Sequence, residues 1–145
     1  MSVVRPKKSL GQHFLKDQNI AQKIVDSIHG LSQKTVLEIG PGTGVLTSLL
    51  VKDQGIDFYA IEVDSEAYDY LQATFPSLSD KLIFKNFLKF DLAEQFQNPL
   101  TIIGNFPYNI SSQIFFKVLE NRDLVLDVVC MIQKEVADRI KANHG

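Results

Sequence analysis

The run Thr35-Val-Leu-Glu-Ile-Gly40-Pro-Gly42-Thr-Gly44 joins a short β-rich segment to three closely spaced glycines. Valine and isoleucine suit a pleated strand, and glycine lets the chain turn tightly with no Cβ facing a ligand. A helix-compatible stretch follows from Val45 to about Lys52 and closes at Gln54-Gly55. Phe58 to Glu62 reads as a second strand, after which Asp64 or Ser65 can cap a helix. That helix runs to about Phe75, where Pro76 stops it. Leu82 to Lys85 and Leu100 to Ile103 read as the third and fourth strands. Ser111 or Ser112 is the expected cap of a helix reaching about Glu120. Leu124 to Ile132, largely apolar, is expected to be a central fifth strand, and Gln133 to about Ala142 a further helix. Upstream, Asp17 to about Ile28 has the pattern of an amphipathic helix. Strands that alternate with helices imply a parallel sheet with right-handed crossovers, an α/β doubly wound, Rossmann-like domain.

The 145 residues amount to one domain, 45% hydrophobic and 22% charged, which excludes disorder over the whole length. No apolar run approaches the roughly 20 residues of a membrane span, and Met1 to Gln12 lacks a signal-peptide core. The single cysteine, Cys130, permits no internal disulfide, reads as a buried inert thiol and makes a reducing cytoplasm the default location. Net charge is −2, but it is unevenly spread. Residues 1–16 carry Arg5, Lys7, Lys8 and Lys16 and no acid, while the other 129 residues hold 11 bases and 17 acids. A basic arm on an acidic body is either a phosphate-contacting element or a solvated tail.

Ligands of a doubly wound sheet bind beyond the carboxyl ends of the strands. The glycine turn lies there, and so does Glu62, which ends the second strand. A carboxylate at that place can accept hydrogen bonds from the two hydroxyls of a ribose. A dinucleotide fingerprint places its third glycine three residues after the second, where this chain has Val45. Pro41 and Thr43 also interrupt an anion-binding turn. S-adenosylmethionine carries no phosphate and needs no pyrophosphate cradle, so the glycine spacing favours it over a nicotinamide cofactor. A tight turn with no ligand is the remaining alternative.

Asn105-Phe106-Pro107-Tyr108 is expected just past the fourth strand. The lone pair of an adenine's exocyclic amine is delocalised into the ring, which makes the amine a poor nucleophile. Two acceptors on its N–H bonds favour a pyramidal nitrogen and free that lone pair. The Asn105 side-chain oxygen and a backbone carbonyl held by Phe106-Pro107 can supply them, and Tyr108 can stack on the base. No strong base is needed, because the nitrogen becomes acidic once methylated. Catalysis would then rest on orientation and electrostatics. A proline turn with a core aromatic is the plainer reading of the same four residues.

Four segments carry a family resemblance: Lys8 to Asp17 (KSLGQHFLKD), Val36 to Gly44 (VLEIGPGTG), Gly104 to Ser111 (GNFPYNIS) and Gln133 to Arg139 (QKEVADR). In this order and spacing they closely resemble the ribosomal RNA adenine dimethyltransferase family, more its bacterial small-subunit, kasugamycin-sensitivity branch than its large-subunit, macrolide-resistance branch. The resemblance spans nearly the whole chain. It implies a class I methyltransferase domain that moves methyl groups from S-adenosylmethionine to the exocyclic amines of two adjacent adenines near the 3′ end of small-subunit rRNA. The donor contacts it implies fall on His13 and Leu15, Gly40, Glu62, Asn86 and Asn105, with Gln12 and Gly42 lining the same cavity. Within this resemblance His13 is a binding residue, with its ring N–H donating to the donor's carboxylate. Asn105, Pro107 and Tyr108 are the catalytic candidates, and Arg5, Lys7 and Lys8 the RNA-contacting ones. His29 and His144 read as surface residues.

The chain departs from the family's pattern at three points. Asn86 stands where the family usually has Asp, and Phe106 where many members have Leu. Residues 1–145 are expected to form the donor-binding domain alone, with the sheet incomplete at its C-terminal end and the family's helical C-terminal domain absent. The resemblance further implies an immature small ribosomal subunit as partner, a monomer, no metal and no membrane. A non-catalytic ribosome-assembly checkpoint is a separate reading. Such a protein keeps its basic surface but has no need of Asn105 or Tyr108.

Overall fold

The computed structural model of the chain describes residues 18–31, 33–106 and 108–131, and for Gln18, Tyr108 and Met131 the backbone alone. In chain order the elements are α1 (Gln18–Asp26), β1 (Thr35–Ile39), α2 (Val45–Leu50), β2 (Asp57–Glu62), α3 (Ser65–Thr74), β3 (Leu82–Phe84), α4 (Leu92–Gln95), β4 (Leu100–Asn105), α5 (Tyr108–Glu120) and β5 (Val125–Met131). Short 3₁₀ turns occupy Pro76–Leu78 and Phe87–Lys89. The five strands form one sheet of order β3-β2-β1-β4-β5, and every pairing is parallel. No helix among the described residues is long and apolar enough to cross a membrane.

Both faces of the sheet are covered, which is why its central strands read as continuous apolar runs. On one face Val36, Phe58, Ala60 and Ile103 pack with Ala21 and Val25 of α1, Leu46 and Leu50 of α2, and Leu71 of α3. On the other, Leu37, Ile39, Ile61 and Ile102 pack with Phe87, Phe90, Leu92 and Phe96 and with Ile114 of α5. Alternation along the strands does this sorting. It sends Glu38, Glu62 and Asn105 toward the face that carries the first group.

β1 has the bounds expected from the sequence, and Asp64 caps α3 by accepting the Glu66 amide at 3.2 Å. Three expectations are corrected. β4 continues through Asn105, so that residue ends the strand rather than following it. α5 starts at Tyr108, which leaves Ser111 and Ser112 inside its first turns, with Ser111 buried. A proline is tolerated at a helix start because the first N–H groups have no intrahelical partner, so a helix can follow directly on the Asn105-Phe106-Pro107 sequence. Finally, β5 is the edge strand of the described sheet, not a central one. Its half-buried Val128 joins one apolar cluster and its half-buried Val129 the other, so an edge strand partly covered on both faces can read as apolar as a central one. The irregular register between Leu100 and Thr101 leaves Leu126 exposed. The arm, residues 1–17, and the helix expected over 133–142 lie outside the described residues.

Candidate functional site

β1 ends in a turn built from left-handed glycines, with φ of 65° at Gly40, 60° at Gly42 and 87° at Gly44. The Gly40 amide donates to Ile61 O at 2.9 Å, which prolongs the β1–β2 ladder by one step. The Gly44 amide closes the turn onto Pro41 O at 2.9 Å, and Gly44 itself is the N-cap of α2. A Cβ on Gly44 would lie 2.8 Å from the Phe75 ring and force the backbone out of a region L-residues rarely adopt. At Gly40, by contrast, a Cβ would meet nothing within 4 Å. That side of the turn is an open cradle.

Glu62 ends β2 beside this turn. Its Oε1 accepts the Gly42 amide at 3.0 Å, and its Oε2 accepts the amides of Val63 at 3.0 Å and Asp64 at 3.1 Å. Glu62 as a residue is only 6% exposed, yet Val63, the next residue, is 60% exposed. An apolar side chain facing solvent next to a fixed carboxylate is a platform for a flat, partly apolar ligand. The sequence reading missed Val63, because nothing local separates it from an ordinary strand end.

Beneath the turn, Glu38 is 2% exposed and accepts the Thr47 hydroxyl at 2.5 Å. Burial pushes its carboxyl up to about 8, against the pull of the Thr47 bond and helped by the nearby Glu62 charge. An acid inside the apolar run Val36-Leu37-Glu38-Ile39 was the available signal for this pair, and the sequence reading did not use it.

On the far side of β1, Ile39 pairs with Gly104, which sets Asn105 one step further out, level with Gly40. Asn105 Oδ1 is buried and has no hydrogen-bond partner among the described residues. Buried side-chain oxygens are normally paired, so an orphan at a strand's carboxyl end marks a place prepared for a donor group. Phe106 then turns inward, fully buried, and meets Phe115 edge to face at 6.1 Å. A Cβ at Gly104 would stand 2.7 Å from the Phe106 ring and 2.8 Å from Ile39 O. Only glycine lets Phe106 fold under β1 and hold Asn105 in place. Phenylalanine therefore packs at this position, where many members of the family have Leu.

Asn86 follows β3, and its Oδ1 accepts the Leu88 amide at 3.0 Å as the cap of the Phe87–Lys89 turn. Of the residues singled out from sequence, the structure thus gathers Gly40, Gly42, Glu62 and Asn105 at the carboxyl edge of the sheet. Asn86 stands beyond the β3 end of that edge. Tyr108 is described as the first residue of α5, by its backbone alone. Arg5, Lys7, Lys8, Gln12, His13, Leu15 and Pro107 lie outside the described residues. His29 is an exposed residue paired with Asp53 at 3.0 Å. Cys130 is half-buried, with its thiol pushed up to about 11 by burial, so it is not a thiolate near neutral pH.

A parallel sheet of this strand order, with a glycine turn after β1, an acid ending β2 and a polar orphan ending β4, defines a Rossmann-like methyltransferase domain. The comparisons agree. Against a solved dimethyladenosine transferase from Plasmodium falciparum the chain has a TM-score of 0.67 and 30% identity, covering 85% of this chain and 44% of that one. Residues 3–145 match the sequence profile described as Ribosomal RNA adenine dimethylase, and the chain belongs to that family. It is 52% identical to Ribosomal RNA small subunit methyltransferase A of Cytophaga hutchinsonii, over 100% of this chain and 57% of the relative. It is 51% identical to the protein of the same name from Parabacteroides distasonis, over 100% of this chain and 54% of the relative. The chain therefore spans a little over half the length of the curated relatives it matches.

Proposed function

We propose that this protein dimethylates the exocyclic amines of two adjacent adenines near the 3′ end of small-subunit rRNA, with S-adenosylmethionine as methyl donor. The observation that carries the reading is Asn105 Oδ1, a buried acceptor without a partner among the described residues, at the end of the strand next to the glycine turn. Family membership and the names of the relatives from two organisms support the small-subunit rRNA as substrate.

The residues present fit the donor. The open cradle at Gly40 admits a chain passing close to the backbone. Glu62 Oε1 spends one lone pair on Gly42 and keeps another for a ribose hydroxyl. Val63 offers an apolar face for a purine, and Asn86 stands beyond the end of β3 to meet its polar edge. When bound, the donor supplies an electrophilic methyl on a sulfonium.

The chain's own part is orientation. Asn105 Oδ1 accepts one N–H of the target amine, and a carbonyl of the Phe106-Pro107 segment accepts the other. Both bonds strengthen as the nitrogen becomes positive, so they favour the transition state over the ground state. Tyr108 stacks on the base. Gln12, His13 and Leu15 close the donor cavity, while Arg5, Lys7 and Lys8 contact RNA phosphates. The protein acts in the cytoplasm, on an immature small subunit. The test is transfer of a tritiated methyl group from S-adenosylmethionine to undermethylated small ribosomal subunits, with dimethyladenine identified by mass spectrometry of the digested rRNA. Large ribosomal subunits offered in a parallel reaction are the control, and label on their rRNA instead would move the protein to the other branch of the family. Binding to subunits with no transfer would favour the assembly-checkpoint reading.

A further inference from the structure

Lys117 lies in the last turn of α5, and its ammonium is turned inward. It donates to Phe87 O at 2.6 Å and also to Phe90 O, and it stands 5.1 Å from the centre of the Phe87 ring. No carboxylate among the described residues forms an ion pair with it. Burial holds its pKa below the ordinary lysine value, with Asp91 and Glu120 opposing that shift. A lysine usually keeps its charge in water. Here two of its three N–H groups are spent on backbone carbonyls.

Those carbonyls belong to a turn with only two backbone hydrogen bonds of its own, from Lys89 N to Asn86 O at 3.0 Å and from Phe90 N to Phe87 O at 3.2 Å. Phe87–Lys89 is a single 3₁₀ turn, too short to be stable through its own hydrogen bonds. Burial of Phe87 and Phe90 anchors it, and two polar side chains add to that. Asn86 Oδ1 caps the Leu88 amide at its start, and Lys117 gathers the carbonyls of its first residue and of Phe90 just beyond it. The same helix that carries Lys117 begins at Tyr108, directly after the Asn105 segment. One rigid element thus links the target-reading end of β4 to the turn that orients Asn86.

We propose that Lys117 is a positioning residue that braces the Asn86 turn against α5 and so fixes the purine end of the donor site relative to Asn105. This rests on the donor-site reading given above. Lys117 touches neither donor nor target, and it acts through Asn86 and the Phe87 backbone. Methionine at this position keeps the length and apolar stem of the side chain but loses all three donors. Arginine keeps a charged fork able to bridge two carbonyls.

The test uses this chain, with S-adenosylmethionine as the calorimetric probe and amide hydrogen exchange as a second readout. Lys117→Met should weaken donor binding by about tenfold, the scale of one charge-assisted hydrogen bond. It should also speed exchange at the Leu88 and Lys89 amides while leaving the β1 and β2 amides protected. Lys117→Arg should restore most of both. A folded Lys117→Met chain with wild-type affinity, or with unchanged exchange at Leu88, overturns the brace. Loss of melting temperature in both variants with no change in affinity would make Lys117 a packing residue only. If Lys117→Met does not fold, a Lys117→Arg chain with unrestored Leu88 protection overturns the proposal by itself. A wild-type chain that takes up no donor overturns the donor-site reading and the brace's role in it. Unchanged affinity in Lys117→Met beside a binding wild type removes the brace alone.

Discussion

Glu62 Oε1 accepts the Gly42 amide at 3.0 Å, so the carboxylate ending β2 is tied to the turn ending β1. With its other oxygen on the Val63 and Asp64 amides, Glu62 organises both loops before any ligand arrives. Glu62→Ala should therefore do two things. Donor affinity should fall by roughly 1.5–3 kcal/mol, the range for hydrogen bonds to a charged group. The melting temperature should fall as well, because three backbone amides lose their acceptor. Calorimetry and a thermal melt on the same sample check both. Unchanged donor affinity would place the ribose elsewhere.

Asn105 makes the opposite prediction for stability. Its Oδ1 is buried and unpaired among the described residues, so removing it takes away a desolvated oxygen that none of them uses. Asn105→Ala should leave the melting temperature of this chain unchanged or slightly raised. In a chain extended to the length of its relatives, the same change should remove most methyl transfer while donor binding falls much less. Transfer within a factor of two of wild type would sink the acceptor mechanism.

Gly104 is where the fold and the site constrain each other most tightly. The Ile39 oxygen that a Cβ would strike belongs to the backbone of β1 and cannot swing aside. Gly104→Ala should cost about 1–3 kcal/mol, the usual penalty for overpacking a core. Gly30→Ala, where a Cβ meets nothing within 4 Å, is the matched control and should be close to neutral. Urea unfolding of the two variants tests the contrast, and equal midpoints would refute the close packing of Phe106 under β1.

Asn86 is spent as a cap. Its oxygen holds the Leu88 amide, and the other end of an amide is a donor only. Asn86→Asp keeps the cap with one carboxylate oxygen and presents a charged acceptor with the other. Donor affinity should rise by about threefold to tenfold, since charge-assisted bonds are roughly twice as strong as neutral ones. Equal or weaker binding by calorimetry would remove Asn86 from the purine end of the site.

What could be read from sequence divides along the line between local and non-local causes. β1, the glycine turn, the end of β2 at Glu62 and the Asp64 cap all follow from neighbours within a few residues, and each stands where the sequence placed it. β5 as an edge depends on strand order, which its own apolar run does not encode. The start of α5 misled because serine is a strong cap signal, while a helix can equally begin right after a proline. The turns at Pro76–Leu78 and Phe87–Lys89 and the four-residue α4 are too short for a period to register. Lys117 looks like an ordinary last-turn base of an amphipathic helix. Nothing in its neighbours announces carbonyls 27 and 30 residues earlier in the chain.

Glu38 gives the molecule a pH dependence whose sign can be worked out. Burial raises its carboxyl from 4.5 to about 8, while the unfolded chain keeps the ordinary value. Between those two values the folded state holds a proton that the unfolded state has lost. Stability from this group is thus fully present below about pH 4.5 and is lost as pH rises toward about 8. The slope over that interval is at most about 1.4 kcal/mol per pH unit for one proton. Glu38→Gln keeps the shape and still accepts the Thr47 hydroxyl, but it does not titrate. Its unfolding free energy should be flatter than wild type across the interval, and its advantage should be largest at the alkaline end. Urea unfolding at several pH values provides the measurement. Parallel wild-type and Glu38→Gln curves would mean that Glu38 is already ionised in the folded protein, with a second partner for its carboxylate beyond Thr47.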